Sequence, residues 1–161
     1  DEHAKVNQLI DAEDKYPYKL WKDGKSNNWD PTGVPMTNDI LQWKTDGILS
    51  ADERLLVRRL LGFFSAGESL VNNILMTAIP RIITDGACRQ YLARQIFEES
   101  LHNSTMEVCC EAYGLDVNEV ANAYKNIPTI KAKTEYLMSV TSTLNRRDVD
   151  IITLAGKQEF F

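Results

Sequence analysis

Histidine is scarce in this 161-residue chain: only His3 and His102 occur, so imidazole chemistry narrows to two positions. Cysteine is nearly as rare. Cys88, Cys109 and Cys110 are odd in number and two are adjacent, which suits no disulfide framework. No Cys-x-x-Cys pair exists to build a thiolate zinc site. The three thiols read as reduced core residues of a cytoplasmic protein. No run approaches the roughly 20 apolar residues that a membrane helix needs. The charged start, Asp1-Glu2-His3-Ala4-Lys5, does not read as a secretory leader. It also lacks an initiator Met, so the N-terminus shown reads as not the natural one. The few Gly (8) and Pro (5) gather early in the chain, which favours helices over a sandwich or barrel. No Lys/Arg cluster occurs and the pI is near 5.1, which argues against a nucleic-acid partner.

What the chain does have is enough apolar character for a core. It is 43% hydrophobic and 25% charged, with Lys+Arg 18 against Asp+Glu 23 and a net charge of −5. Its length suits one domain or a large piece of one. Residues 15–36 hold Pro17, Gly24, Pro31, Gly33 and Pro35 among Tyr16, Tyr18, Trp21 and Trp29. They read as an ordered arm with a short helix around 17–25. Thr37-Asn38-Asp39 is a candidate cap for a second short helix carrying Ile40, Leu41 and Trp43. Ser50-Ala51-Asp52-Glu53 has the form of a capping box, opening a run without Pro until Pro80. That run is long enough for about eight helical turns. Asp85 is placed to cap a second long helix that ends at Gly114, a C′ glycine. A shorter helix is expected from Asp116 to about Tyr124, and another over 129–144. A turn at Arg146-Arg147-Asp148 then leads to a last segment from Val149. The fold class is all-α.

The two long helices carry a heptad-like stripe, and its exceptions point to chemistry. The first stripe runs Leu61, Phe64, Glu68, Val71, Leu75, Ala78. The second runs Leu92, Gln95, Glu99, His102, Met106, Cys109, Tyr113. Side-by-side packing turns such stripes inward and carries Glu68, Glu99 and His102 with them. Burying an ionised carboxylate costs several kcal/mol unless it is paired or bound to a cation. Glu99-Ser100-Leu101-His102 is Glu-x-x-His, an i, i+3 pair on one helical face that can reach a single ion. Oxygen and imidazole donors of this kind suit iron or manganese. The same residues admit a purely structural arrangement, with His102 bonded to Glu99 and Glu68 bridging to Arg81 or Arg94. His3 reads as a terminal residue and not a ligand. Glu98 reads as facing solvent or the bundle edge, and Trp29 and Trp43 as core aromatics.

Several stretches resemble the small (radical-generating, or β) subunit of class I ribonucleotide reductase. They are Asn28-Trp29-Asp30-Pro31, Asn38-Asp39-Ile40-Leu41-Gln42-Trp43-Lys44 and Leu49-Ser50-Ala51-Asp52-Glu53-Arg54. The likeness continues through Leu61-Gly62-Phe63-Phe64-Ser65-Ala66-Gly67-Glu68-Ser69-Leu70-Val71-Asn72-Asn73. It is most specific over Arg89-Gln90-Tyr91-Leu92-Ala93-Arg94-Gln95-Ile96-Phe97-Glu98-Glu99-Ser100-Leu101-His102. The resemblance implies a ferritin-like helical bundle holding two metal ions, with ligands falling on Glu68, Glu99 and His102. It implies that Trp29 relays an electron between the metal site and the surface. The implied activity is to supply an oxidising equivalent to a large catalytic subunit, which reduces ribonucleotides to deoxyribonucleotides through a cysteine thiyl radical.

Three departures from the family shape the expectation. Met106 stands where most members carry the radical tyrosine, and a thioether has no O–H to lose. Glu68 stands where most tyrosine-bearing members have Asp. Both substitutions resemble the tyrosine-less branch, in which the oxidised metal pair stores the hole, favouring Mn/Fe with Mn/Mn or Fe/Fe as alternatives. Thirdly, the family needs one more Glu and a second Glu-x-x-His. After His102 the chain has Glu107, Glu111, Glu119, Glu135 and Glu159 but no histidine. Residues 1–161 are therefore expected to be the N-terminal portion of one ferritin-like domain, with 1–48 an arm with short helices and 49–161 bundle helices. Half a site is expected, in a naturally split subunit or a portion of a longer one, completed by ligands outside this chain. A dimeric assembly with a second polypeptide and the large subunit is implied. The alternatives are another ferritin-like dimetal oxidase and a non-catalytic scaffold paralogue.

Overall fold

The computed structural model describes residues 12–145. His3, the turn at Arg146–Asp148, the segment from Val149 and Glu159 lie outside the described residues. Among the described residues the chain is all-α, a multi-helix arrangement with no strand, consistent with a ferritin-like fold. The helices are α1 (Tyr16–Ser26), α2 (Thr37–Lys44), α3 (Ala51–Thr77), α4 (Ile79–Ile82), α5 (Gly86–Tyr113), α6 (Val117–Ala121), α7 (Ala123–Asn126) and α8 (Pro128–Asn145). None is long and apolar enough to cross a membrane.

The ends of the long helices follow from local chemistry. At the start of α3 the Ser50 amide and hydroxyl both donate to Glu53 Oε2 at 2.8 Å. The Glu53 amide donates back to Ser50 Oγ at 3.2 Å, completing the capping box. At the start of α5 the Cys88 amide donates to Asp85 Oδ1 at 3.0 Å. The same helix ends in a Schellman motif. Gly114 takes φ +67°, its amide donates to Glu111 O at 3.1 Å, and the Leu115 amide donates to Cys110 O at 2.8 Å.

Two expectations need correction. Thr37 is the first helical residue of α2, and Met36 holds the cap position with no side-chain bond, because the turn before it winds one residue earlier than the Thr-Asn-Asp pattern suggests. The single helix expected over 116–124 is two, because the chain departs from helix at Asn122, whose side chain donates to Asn118 O at 2.8 Å.

The chain divides into two compact units. One holds residues 29–70 and 99–136. Its core is Leu61, Cys110 and Val120, packed around by Val57, Met106, Cys109, Tyr113 and Leu115. Trp43 is buried against Tyr113, ring centroids 4.9 Å apart, and the Arg54 guanidinium lies 5.1 Å over the indole. Gly62 lets α7 approach α3 closely, since a Cβ there would meet Ala123 Cβ at 2.5 Å.

Among the described residues, the other unit holds 12–28, 71–98 and 137–145. Its described residues include buried Leu75, Ala78 and Ala87, and a Lys15–Asp85 ion pair at 2.6 Å. Arg94 donates to Asn28 Oδ1 at 2.5 Å and pairs with Glu98 one turn on. Glu98, read as facing solvent or the bundle edge, is 24% exposed and paired with Arg94.

Candidate metal centre

The register of α3 and α5 carries the site. Glu68 lies in the fifth turn of α3, and Glu99 and His102 share one face of α5 at i, i+3. One donor atom from each lies within 4.8 Å of the other two. His102 Nδ1 lies 3.3 Å from Glu68 Oε2 and 3.4 Å from Glu99 Oε2. The interior placement read from the stripe holds unevenly. The side chains of Glu68 and Glu99 are 21% and 13% exposed, whereas His102 is 42% exposed. Phe64 and Val71, the stripe's flanking positions on α3, are exposed too. The purely structural arrangement is not adopted by Arg94, which is taken up by Glu98 and Asn28.

Electrostatics make this a cation site in character. Burial, followed by the neighbouring Glu99 carboxyl, raises the Glu68 carboxyl above its ordinary value, and the His102 ring pulls the other way. Two carboxylates that disfavour each other's charge are stabilised together by a cation between them. Two oxygen donors and one imidazole nitrogen within that span fit iron or manganese, with no thiolate in the cluster. Three donors leave the coordination of two ions incomplete.

Trp29 is brought to the same place by a local device. Asp30 caps the turn Pro31–Gly33, its Oδ1 accepting from the Thr32 amide at 2.8 Å and the Thr32 hydroxyl at 2.5 Å, with Pro31 buried. That anchors the preceding Trp29 with its ring centroid 6.0 Å from the His102 imidazole at 33°. Trp29 is 37% exposed, so it bridges site and solvent and is not the core aromatic expected from type alone. Met106, one turn beyond His102, packs against the Leu61–Cys110–Val120 core. The sequence marks Tyr113 only as a stripe residue, Trp43 as core and Arg54 as part of a matching stretch. The heptad spacing from His102 to Tyr113 was the available signal, whereas nothing in sequence joins Arg54 to Trp43.

Helices presenting two glutamates and a histidine to one point define a carboxylate–histidine metal-binding protein of the ferritin-like class. Residues 6–160 match the family of the ribonucleotide reductase small chain, and the chain belongs to that family. It is 47% identical over 136 residues to the ribonucleoside-diphosphate reductase subunit beta of Chlamydia pneumoniae, covering 84% of this chain and 39% of that protein. Against the small subunit of Dictyostelium discoideum it is 28% identical over 129 residues, 77% of this chain and 38% of that protein. The small chain of Spisula solidissima is 23% identical over 124 residues, 75% of this chain and 32% of the relative. The chain spans about two fifths or less of the length of these curated relatives.

Proposed function

We propose that this chain provides half of the dinuclear metal centre of a ribonucleoside-diphosphate reductase small subunit, the other ligands coming from outside these residues. The observation that carries the reading is the convergence of Glu68, Glu99 and His102, in a chain matching the small-chain family over 6–160. Glu68 and Glu99 supply negative charge to the ions, and His102 supplies the neutral nitrogen donor. Trp29, against the imidazole and open to solvent, passes an electron between this site and the surface. Met106 offers no O–H at the position one turn past His102, which supports the tyrosine-less kind of subunit with a Mn/Fe pair. Such a centre, when bound, supplies the one-electron oxidant that a tyrosine-bearing subunit keeps on its phenol. The large catalytic subunit is the partner that receives it, and the assembly is cytoplasmic.

Metal titration of the purified chain, followed by elemental analysis, tests this. Alone, the chain binds manganese and iron weakly. With a polypeptide bearing a second Glu-x-x-His it holds two ions, and Glu68→Gln or His102→Gln abolishes the gain. Two tightly held ions on this chain alone would overturn the half-site reading. Anomalous scattering at both metal edges decides the metal pair, and one metal at both positions would sink the mixed form.

A further inference from the structure

Beyond His102, the inner face of α5 carries oxidisable side chains at every heptad-like step: Met106, Cys109 and Tyr113. Neighbours three or four apart on a helix have Cβ atoms about 5–6 Å from each other. Their thioether, thiol and phenol therefore form a graded series over the roughly 16 Å of helix from His102 to Tyr113. All three pack, half-buried, against the same core of Leu61, Cys110 and Val120. Trp29 lies on the other approach to His102, so this face is a separate direction of departure from the cluster.

We propose that this face of α5 is a second one-electron exit from the carboxylate–histidine cluster, and that Tyr113 is the residue on which the hole comes to rest. The proposal rests on the reading that the cluster holds a strongly oxidising metal centre. Tyr113 would give one electron to an oxidised metal pair held there and would lose its phenolic proton with it. The proton leaves to water at the half-exposed phenol. Trp43, although stacked beside Tyr113, is a poor resting place. The Arg54 guanidinium 5.1 Å over its ring opposes a second positive charge on the indole. Cys109 is poor as well, since burial keeps it a neutral thiol and not the readily oxidised thiolate. A thiol reductant from solvent returns an electron and a proton to Tyr113. The function is protective: a hole that does not leave through Trp29 is led away from the ligands.

Flash-quench photochemistry tests this without iron or manganese. A ruthenium polypyridyl complex is coordinated to the half-exposed His102 in the full chain, with His3→Gln to remove the competing imidazole and Trp29→Phe to close the first exit. Laser oxidation of the ruthenium should yield a tyrosyl radical by transient absorption and freeze-trapped electron paramagnetic resonance. The yield should fall at least tenfold in Tyr113→Phe and in Met106→Leu. Both replacements preserve shape, and their unchanged melting temperatures exclude misfolding. An undiminished tyrosyl yield in Tyr113→Phe, or ruthenium that decays only by charge recombination in the parent, overturns the proposal and leaves Met106, Cys109 and Tyr113 as packing residues. The metal titrations above judge the metal centre separately, so failure of either reading is visible by itself.

Discussion

Gly62 occupies the middle of α3, where a glycine costs about 1 kcal/mol relative to alanine in helix propensity. Its missing side chain is the space that Ala123 uses, and the Val120 carbonyl lies 3.4 Å from a Cβ built at 62. Gly62→Ala therefore gains propensity but forces α6 and α7 away from α3. Overpacking of this kind costs about 1–3 kcal/mol, so a net loss of stability is expected in urea unfolding. Asp85 makes a different residue-scale prediction. The Lys15 ammonium, then the Cys88 amide, lower its carboxyl from 3.8 to about 2. Because the folded value is depressed, its contribution is complete above the ordinary carboxylate range. It is lost as pH falls through about 2. Both partners of the ion pair are about two-fifths exposed, so the pair itself adds little and the helix cap is the larger part. Asp85→Asn keeps an acceptor for the Cys88 amide but removes the titration. Its stability should change less than the parent's between pH 4 and pH 2, followed by circular dichroism.

At the scale of elements, Ser50 and Glu53 satisfy each other's amides and so fix where α3 begins, which sets the rotation of every side chain down to Glu68. Ser50→Ala should cost about 1 kcal/mol and lower the melting temperature by several degrees. The capping box, the Asp85 cap and the Gly114 terminus were legible in the sequence because each depends on residues a few positions apart. The Glu-x-x-His pair was legible for the same reason, and Glu68 joined it through the periodicity of α3. The break at Asn122 was not legible. Nothing between Asp116 and Tyr124 forbids a continuous helix, and the division is tied to the close seat of Ala123 on Gly62. The half exposure of His102 was equally hidden, since a heptad pattern gives the inward direction but not what covers it. Trp29 needed the Asp30–Thr32 turn to place it, a device visible only once its partner's position is known.

At the scale of the whole molecule, Leu56, Leu60 and Phe64 form an exposed i, i+4 row on α3 whose next member is Glu68. An apolar row of that kind marks an interaction surface. Under the half-site reading proposed above, the row is a candidate surface for the polypeptide that completes the site. Sedimentation should find the isolated chain self-associating. The pair Leu60→Lys and Phe64→Lys should shift it towards monomer and weaken its capture of the polypeptide that completes the site.

Arg54 extends this to the way the chain opens and closes. Its guanidinium donates to Trp43 O, to Thr45 O at 3.3 Å and to Leu49 O at 3.4 Å, so one side chain from α3 holds a carbonyl of the last turn of α2 and two of the segment that follows it. That segment includes Gly47 at φ +82°. The end of α2 is then tied to the start of α3, and the two should open as one cooperative unit. Hydrogen exchange should show amides 45–50 protected in step with the first turns of α3. In Arg54→Lys, which lacks the fork needed for several carbonyls at once, they should exchange sooner and independently.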